Sequence, residues 1–285
     1  MGRSSVKRPG RTIAEIVTVL VAAVVAFPLY WMVLAAVKPA DEIVSTNPRP
    51  WTLRPTADNF VHALTVQNFG RYLLNSVLVA VLVVVAGLLL AFLAATALTR
   101  FRFRSRTTLL VMLLVVQMVP VEALTVPLFF LMKSVGDVAP AFGLNHLGSL
   151  VLVHLAFSLP FAIWMLRGFV AAVPVELEEA ATLDGASRFR FLWQVLFPLV
   201  APGLVATSVL SFIHAWNDFL FAKTFLISGS DIQTLPLALQ AFVKPDQNDW
   251  GAIMAGSTLM TIPVLVFFVL VQRRLVSGLA GAVKG

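Results

Sequence analysis

The sequence predicts an all-α, polytopic integral membrane protein with six transmembrane helices and both termini cytoplasmic. Three observations carry that reading. Hydrophobic residues fill 59% of the 285 positions and charged residues only 12%, about half the charged share of an ordinary soluble domain. The apolar sequence falls into six runs of 20 residues or more, 13–37, 73–99, 107–132, 147–166, 199–222 and 252–272, each long enough to cross a hydrocarbon layer about 30 Å thick. The segments 1–12, 100–106, 167–198 and 273–285 hold 14 Lys and Arg in 64 residues, against 7 in 78 for 38–72, 133–146 and 223–251, and basic residues concentrate on the cytoplasmic side. No Lys or Arg lies inside a run, and of 14 acidic residues only Glu15, Glu122 and Asp218 do, as the expense of charge in hydrocarbon requires.

Taken in order, residues 1–12 form a cytoplasmic N-terminus whose Arg3, Lys7, Arg8 and Arg11 precede the first run. That run exceeds the h-region of a signal peptide, about 7 to 15 residues, and reads as an uncleaved first span. Segment 38–72 carries Pro39, Pro48, Pro50 and Pro55 with Trp51, the composition of a structured external loop rather than a seventh helix. Arg100, Arg102, Arg104 and Arg106 then sit between spans two and three without an acid, a positive-inside anchor and not a nucleic-acid patch. In span three, Pro120 and Pro127 bracket Glu122, which predicts a broken or kinked helix lining a pathway. Segment 223–251 is a second external loop ending at Trp250, an interfacial anchor. The six-span domain thus covers 13–272, and 273–285 is a cytoplasmic tail.

Span five carries Thr207, Ser211, His214 and Asp218 at separations of 4, 3 and 4, one face of a helix. A polar stripe in hydrocarbon faces either a water-filled path or another subunit; hydrogen bonding between helices of the bundle is the equal alternative. Asn217 adjoins the stripe, and Trp216 suits either a stacked sugar or the membrane interface.

The cytoplasmic segment 167–198 is too long for a plain connector. Pro174 suits a helix start, Glu176, Glu178 and Glu179 suit the positive end of the helix dipole, and Gly185 ends or bends the helix. A second run, 186–196, places Phe189, Leu192, Trp193 and Leu196 at helical spacing before Pro198 resets the chain into span five. A short helix, a turn and an amphipathic helix result.

Glu179-Ala180-Ala181, three residues, Gly185, nine residues and Val195-Leu196-Phe197-Pro198 resemble the EAA loop of membrane subunits of binding-protein-dependent ABC importers. Val195 and Phe197 are conservative departures from that pattern. Asn75-Ser76, Pro120 and Pro127 around Glu122, Trp216-Asn217-Asp218 and the tail from Gly278 through Gly281 and Lys284 to Gly285 narrow the resemblance to carbohydrate importers, on the side of the smaller, MalG-like permease of the maltose type.

The resemblance implies a bacterial or archaeal cytoplasmic-membrane permease in which Glu179, Ala180, Ala181, Asp184, Gly185 and Pro198 couple to an ATPase. It implies that Gly278, Gly281, Lys284 and Gly285 contact that ATPase pair. The partners implied are a second, MalF-like permease subunit, two ATP-binding cassette subunits and an extracytoplasmic sugar-binding protein, with carbohydrate as substrate and lipid as surroundings. Glu122, Thr207, Ser211, His214, Asn217 and Asp218 become candidates for the translocation path.

The chain holds no phosphate-binding G-x-x-x-x-G-K-[ST] motif, so ATP and Mg are expected on the partner ATPase and no cofactor on this chain. The absence of cysteine excludes a disulfide, a thiolate metal site and a cysteine nucleophile. His62, His146, His154 and His214 have no metal spacing, and His154 with Ser158 reads as internal packing. Without a nucleophile elbow or paired carboxylates, a membrane enzyme is disfavoured. The remaining alternatives are an amino-acid or peptide ABC importer and a secondary transporter moving a proton through Asp218 or Glu122.

Overall fold

A computed structural model describes residues 9–66, 68–243 and 248–282, and these are almost entirely helical. They divide into two compact units. One comprises residues up to Gln67 together with Ala241–Thr261; the other comprises Asn68–Gln240 and Ile262 onwards.

The first unit begins with α1, Pro9–Val37, whose apolar window has no buried residue within the chain. Lipid or another subunit therefore has to cover it. The segment after α1 holds two short helices, α2 (Ala40–Ile43) and α3 (Asp58–Val66), joined by irregular backbone through the prolines. Side chains close this segment. Asn59 Nδ2 donates to the carbonyls of Ala36 (3.0 Å) and Lys38 (2.7 Å), and Thr56 N donates to Val37 (2.8 Å). Arg54 lies 2.5 Å from Asp41 and 3.3 Å from Glu42; its guanidinium, mainly by hydrogen bonding, holds the Asp41 carboxyl below its ordinary pKa.

The second unit is built on α4, Phe69–Arg100, which pairs along its length with α7, Leu147–Ala172. In chain order α5 (Arg106–Val116) and α6 (Thr125–Val138) come between them, and α11, Ala201–Trp216, packs on both α4 and α7. Without hydrophobic drive between helices in lipid, close packing at small residues holds such bundles together. A Cβ on Gly203 would stand 2.4 Å from the Phe169 ring, so α11 approaches α7 as only glycine permits. The shared core contains Ala91, Phe92 and Ala95 of α4, Leu166 and Val170 of α7, and Val200 and Leu204.

Among the described residues, four helices are long and apolar enough to cross a membrane unaided, and two bent pairs bring the number to six if each pair is one span. The bend predicted from Pro120 and Pro127 is present: α5 and the segment Val121–Val138 meet at 91°. The run 199–222 departs from expectation. Helix α11 ends at Trp216, after 16 residues, because the Asp218 carboxylate accepts hydrogen bonds from the backbone N–H of Phe221 and Ala222, both at 3.1 Å. A side chain capping a helix start opens a new helix. That helix is α12, Leu220–Phe225, followed by α13, Leu235–Leu239, and α14, Trp250–Ala282; α8–α10 belong to the loop described next.

Candidate functional site

Helix α8, Glu176–Leu183, opens with Glu176, Glu178 and Glu179 in its first turn, where the helix dipole favours negative charge. Its end is a Schellman motif: Gly185 N donates to Thr182 O at 3.0 Å and Ala186 N to Ala181 O at 2.9 Å. Gly185 stands at φ +79°, a left-handed conformation that disfavours any residue with a Cβ. No heavy atom lies within 4 Å of the Cβ it lacks, so the glycine answers to backbone geometry here and leaves open space outside.

The chain resumes when Ser187 Oγ accepts from Arg190 N at 3.3 Å, capping α9, Arg188–Arg190. Phe191–Leu196 winds as a π-helix and α10, Phe197–Leu199, completes the run. Phe191, Leu196 and Val200 enter the core of α4 and α7. Trp193 and Phe197 lie 5.8 and 5.3 Å from the Phe92 ring and 5.3 Å from each other. The amphipathic half is therefore rooted in span two, whereas the acidic half projects. Glu179, Ala180, Asp184 and Gly185 are exposed, as is Leu183 at 89%. Ala181 packs partly against the core. The turn into α11 is a 72° bend at Val200; Pro202 starts the new helix, so the reset expected at Pro198 comes a few residues later.

Arg100 was legible in the sequence only as part of an orientation anchor, yet it sits at the base of this loop. Its side chain is 9% exposed and donates to Val173 O at 2.8 Å, with Nε 3.6 Å from Glu178 Oε2. That separation is an ion pair without a hydrogen bond, since Nε itself has no hydrogen-bond partner. Arg102 and Arg106 join Arg100, Glu178 and Glu179 in lining a cleft of about 760 Å³.

A second cavity, of about 580 Å³, opens between α7, α11 and the break after α5. Glu122, Ser211, His214 and Asp218 line it, together with Gln117 and His154. Thr207 does not: it is fully buried and its hydroxyl donates to Gly203 O at 2.8 Å. The expected single face therefore divides, with Thr207 turned into the bundle and Asp218 beyond the helix end. Asn217 is exposed at the α11 terminus. Trp216 is 1% exposed and stacked 5.4 Å from Phe212, which places it neither against a sugar nor at an interface. His154 Nε2 faces Asp218 Oδ2 at 3.4 Å, a relationship that local periodicity could not reveal at a separation of 64 positions.

Asn75 and Ser76 clamp the segment after α12. Asn75 Nδ2 donates to Asp231 O and Gln233 O at 3.0 and 2.9 Å, and Ser76 Oγ accepts from Leu235 N at 2.8 Å. Of the tail, Gly278 and Gly281 fall within α14, and Lys284 and Gly285 lie outside the described residues.

Residues 87–281 match the family model described as binding-protein-dependent transport system inner membrane component. The chain is 40% identical over 277 residues to the diacetylchitobiose uptake system permease protein DasC of Streptomyces coelicolor, covering 97% of this chain and 98% of the relative. It is 33% identical over 279 residues to the trehalose/maltose transport system permease protein MalG of Thermococcus litoralis, covering 96% and 97%. Its fold resembles a chain from the crystal structure of a bacterial ABC transporter that imports alginate, with a TM-score of 0.77 at 20% identity over 95% of this chain and 99% of that one. The matched family model spans both the projecting loop and the cavity, and the chain belongs to the family of binding-protein-dependent transport system inner membrane components, multi-pass transport proteins of the inner membrane.

Proposed function

We propose that the chain is one of two permease subunits of an ATP-driven sugar importer. In this reading it crosses the membrane six times with both termini cytoplasmic, and a second, MalF-like subunit covers the apolar faces that α1 leaves open. Two ATP-binding cassette subunits bind ATP and Mg, and an extracytoplasmic binding protein delivers the sugar. The observation that carries the reading is the projecting loop: an acidic helix closed by Gly185 in the left-handed region, exposed around Glu179 and Leu183, and anchored through Trp193 and Phe197 to Phe92. Exposed apolar side chains beside carboxylates suit a protein cleft better than water. Closure of the ATPases would move this loop, and its anchorage in α4 and α7 would pass the motion to the spans, shifting the population between inward and outward access.

Names of the relatives favour a sugar over an amino acid or peptide, and a docking helix has no use in a proton-driven carrier. The test is ATP-dependent uptake by the complete transporter in proteoliposomes, with the binding protein screened by thermal shift against diacetylchitobiose, maltose and trehalose. Uptake of an amino acid in place of every sugar would overturn the sugar assignment. Uptake that persists without the ATPase subunits would overturn the importer reading itself.

A further inference from the structure

Helices α4 and α7 end together. Arg100, the last residue of α4, donates to Val173 just past the end of α7, and both helices are long and apolar enough to cross a membrane, so a membrane boundary lies at this end. The chain there alternates Arg100-Phe101-Arg102-Phe103-Arg104, and α5 then starts at Arg106 and runs back against α7. Trp164 Nε1 of α7 approaches Leu110 O of α5 at 3.5 Å, and the Arg167 guanidinium lies 5.6 Å from the Trp164 ring. Arg106 stands about one turn before Leu110 and Arg167 about one turn after Trp164, so on oppositely directed helices both reach the same end. Arg100 is engaged by Val173 and Glu178. Among the described residues, Arg102, Arg104, Arg106 and Arg167 have no carboxylate within ion-pair distance and donate no side-chain hydrogen bond, and Arg167 Nε is buried without a partner. Phe101, Phe103 and Trp164 stand exposed among them. The cleft of about 760 Å³ opens against this segment with Glu178 and Glu179 on its far wall; five guanidiniums against two carboxylates leave an excess of positive charge.

We propose that this patch binds the headgroup of an anionic phospholipid, with Arg102, Arg104 and Arg106 on the phosphodiester, Arg167 beside them, and Phe101 and Phe103 set between headgroup and acyl chain. Charge complementarity selects the occupant: a guanidinium fork matches two phosphate oxygens, and aromatic rings interleaved with arginines suit the boundary between water and hydrocarbon. Orientation in the membrane needs only the sum of charge on one side. A headgroup site needs those charges grouped and unpaired, and that grouping is what the fold adds by bringing Arg167 to the segment after α4. The inference goes beyond the importer reading, because it requires neither the sugar nor the ATPase.

The test places a fluorophore on Ser105→Cys, an exposed position whose hydroxyl caps nothing, in a chain without native cysteine. The labelled chain is assembled with cysteine-free partners and reconstituted in phosphatidylcholine. Phosphatidylglycerol and phosphatidylcholine carrying a nitroxide at the same acyl position are then compared as quenchers. Phosphatidylglycerol should quench about fivefold more effectively, the factor that one basic residue near an anionic surface supplies. Arg102→Gln combined with Arg104→Gln should bring the two lipids within about twofold, since neither side chain has a partner in the chain to lose. Inorganic phosphate, matched in ionic strength by a chloride control, should leave the preference unchanged. Equal quenching by the two lipids, or a preference that survives the double substitution, overturns the proposal. Loss of the preference to inorganic phosphate makes the patch a site for soluble anions and overturns it as well. Failure of the double variant to co-purify with the ATPase subunits assigns the patch to a protein partner, which is the remaining outcome that rejects a lipid site.

Discussion

Arg100, the last residue of α4, ties the start of the projecting loop to the bundle: it donates to the Val173 carbonyl at 2.8 Å and stands 3.6 Å from the Glu178 carboxylate. The first contact is nearly buried and the second is partly open to solvent, so the two differ in weight. Removal of a charged, buried donor leaves carbonyls unpaired, whereas a half-exposed ion pair contributes little. Arg100→Met is expected to lower stability in detergent by about 2 kcal/mol and to uncouple ATPase activity from transport. Glu178→Gln should lower stability by less than about 1 kcal/mol. Thermal unfolding of both variants decides it, and equal losses would mean that the ion pair, not the carbonyl contact, fixes the loop.

Glu179 and Gly185 separate docking from folding. Gly185→Ala places a Cβ on a backbone at φ +79°, a strain of roughly 1–2 kcal/mol. Gly185→Trp meets the same strain and, within this chain, empty space. The two variants should therefore assemble in the membrane alike, and only the tryptophan should lose the ATPase on co-purification. Glu179→Lys should likewise weaken ATPase association while membrane insertion stays normal. Normal uptake by Glu179→Lys and Gly185→Trp together would reject a docking role for this helix.

Cysteine substitution along α11 reads out which part of the polar stripe is wet. Ser211→Cys and His214→Cys border the cavity and should react with a small water-soluble thiol reagent in at least one nucleotide state. Thr207→Cys, fully buried, should stay unreactive in both. A reactive position 207 would mean that the packing of α11 on α4 and α7 opens during the cycle.

The tail prediction concerns α14, which continues through Ala282. Truncation after Arg274 keeps the basic pair and removes about 12 Å of that helix. Binding-protein-stimulated ATPase activity should fall while expression and insertion persist. Unchanged stimulation would reduce the tail to an anchor.

Much of the bundle was legible because continuous apolar length is a strong signal. Helices α1, α4, α7 and α14 lie where the runs predicted them, and Pro120 and Pro127 announced the break after α5. What escaped the sequence depended on contacts between distant positions. Asp218 reads as one more polar residue on a helical face, yet its carboxylate ends that face by capping α12. Its spacing was compatible with both outcomes, and only the backbone distinguishes a stripe from a cap. His154 similarly looks like packing until Asp218 stands opposite it. Arg100 carries a charge whose orientation role masked its carbonyl contacts, because composition reports the sign of a segment and not the direction of a guanidinium.

Helix α4 is unbroken for 32 residues, roughly 48 Å at 1.5 Å per residue. Near one end Asn75 and Ser76 grip the backbone at Asp231–Leu235; toward the other Phe92 and Arg100 grip the projecting loop. A rod fixed at both ends has no slack in which a displacement can dissipate. A ligand at the Asp231–Leu235 end that favours one setting of this rod would favour the same setting beneath Arg100, and thermodynamic reciprocity would make that coupling equal in both directions. On the importer reading proposed above, sugar delivery at one end and nucleotide capture at the other would be two loads on a single push-rod, each lightening the other.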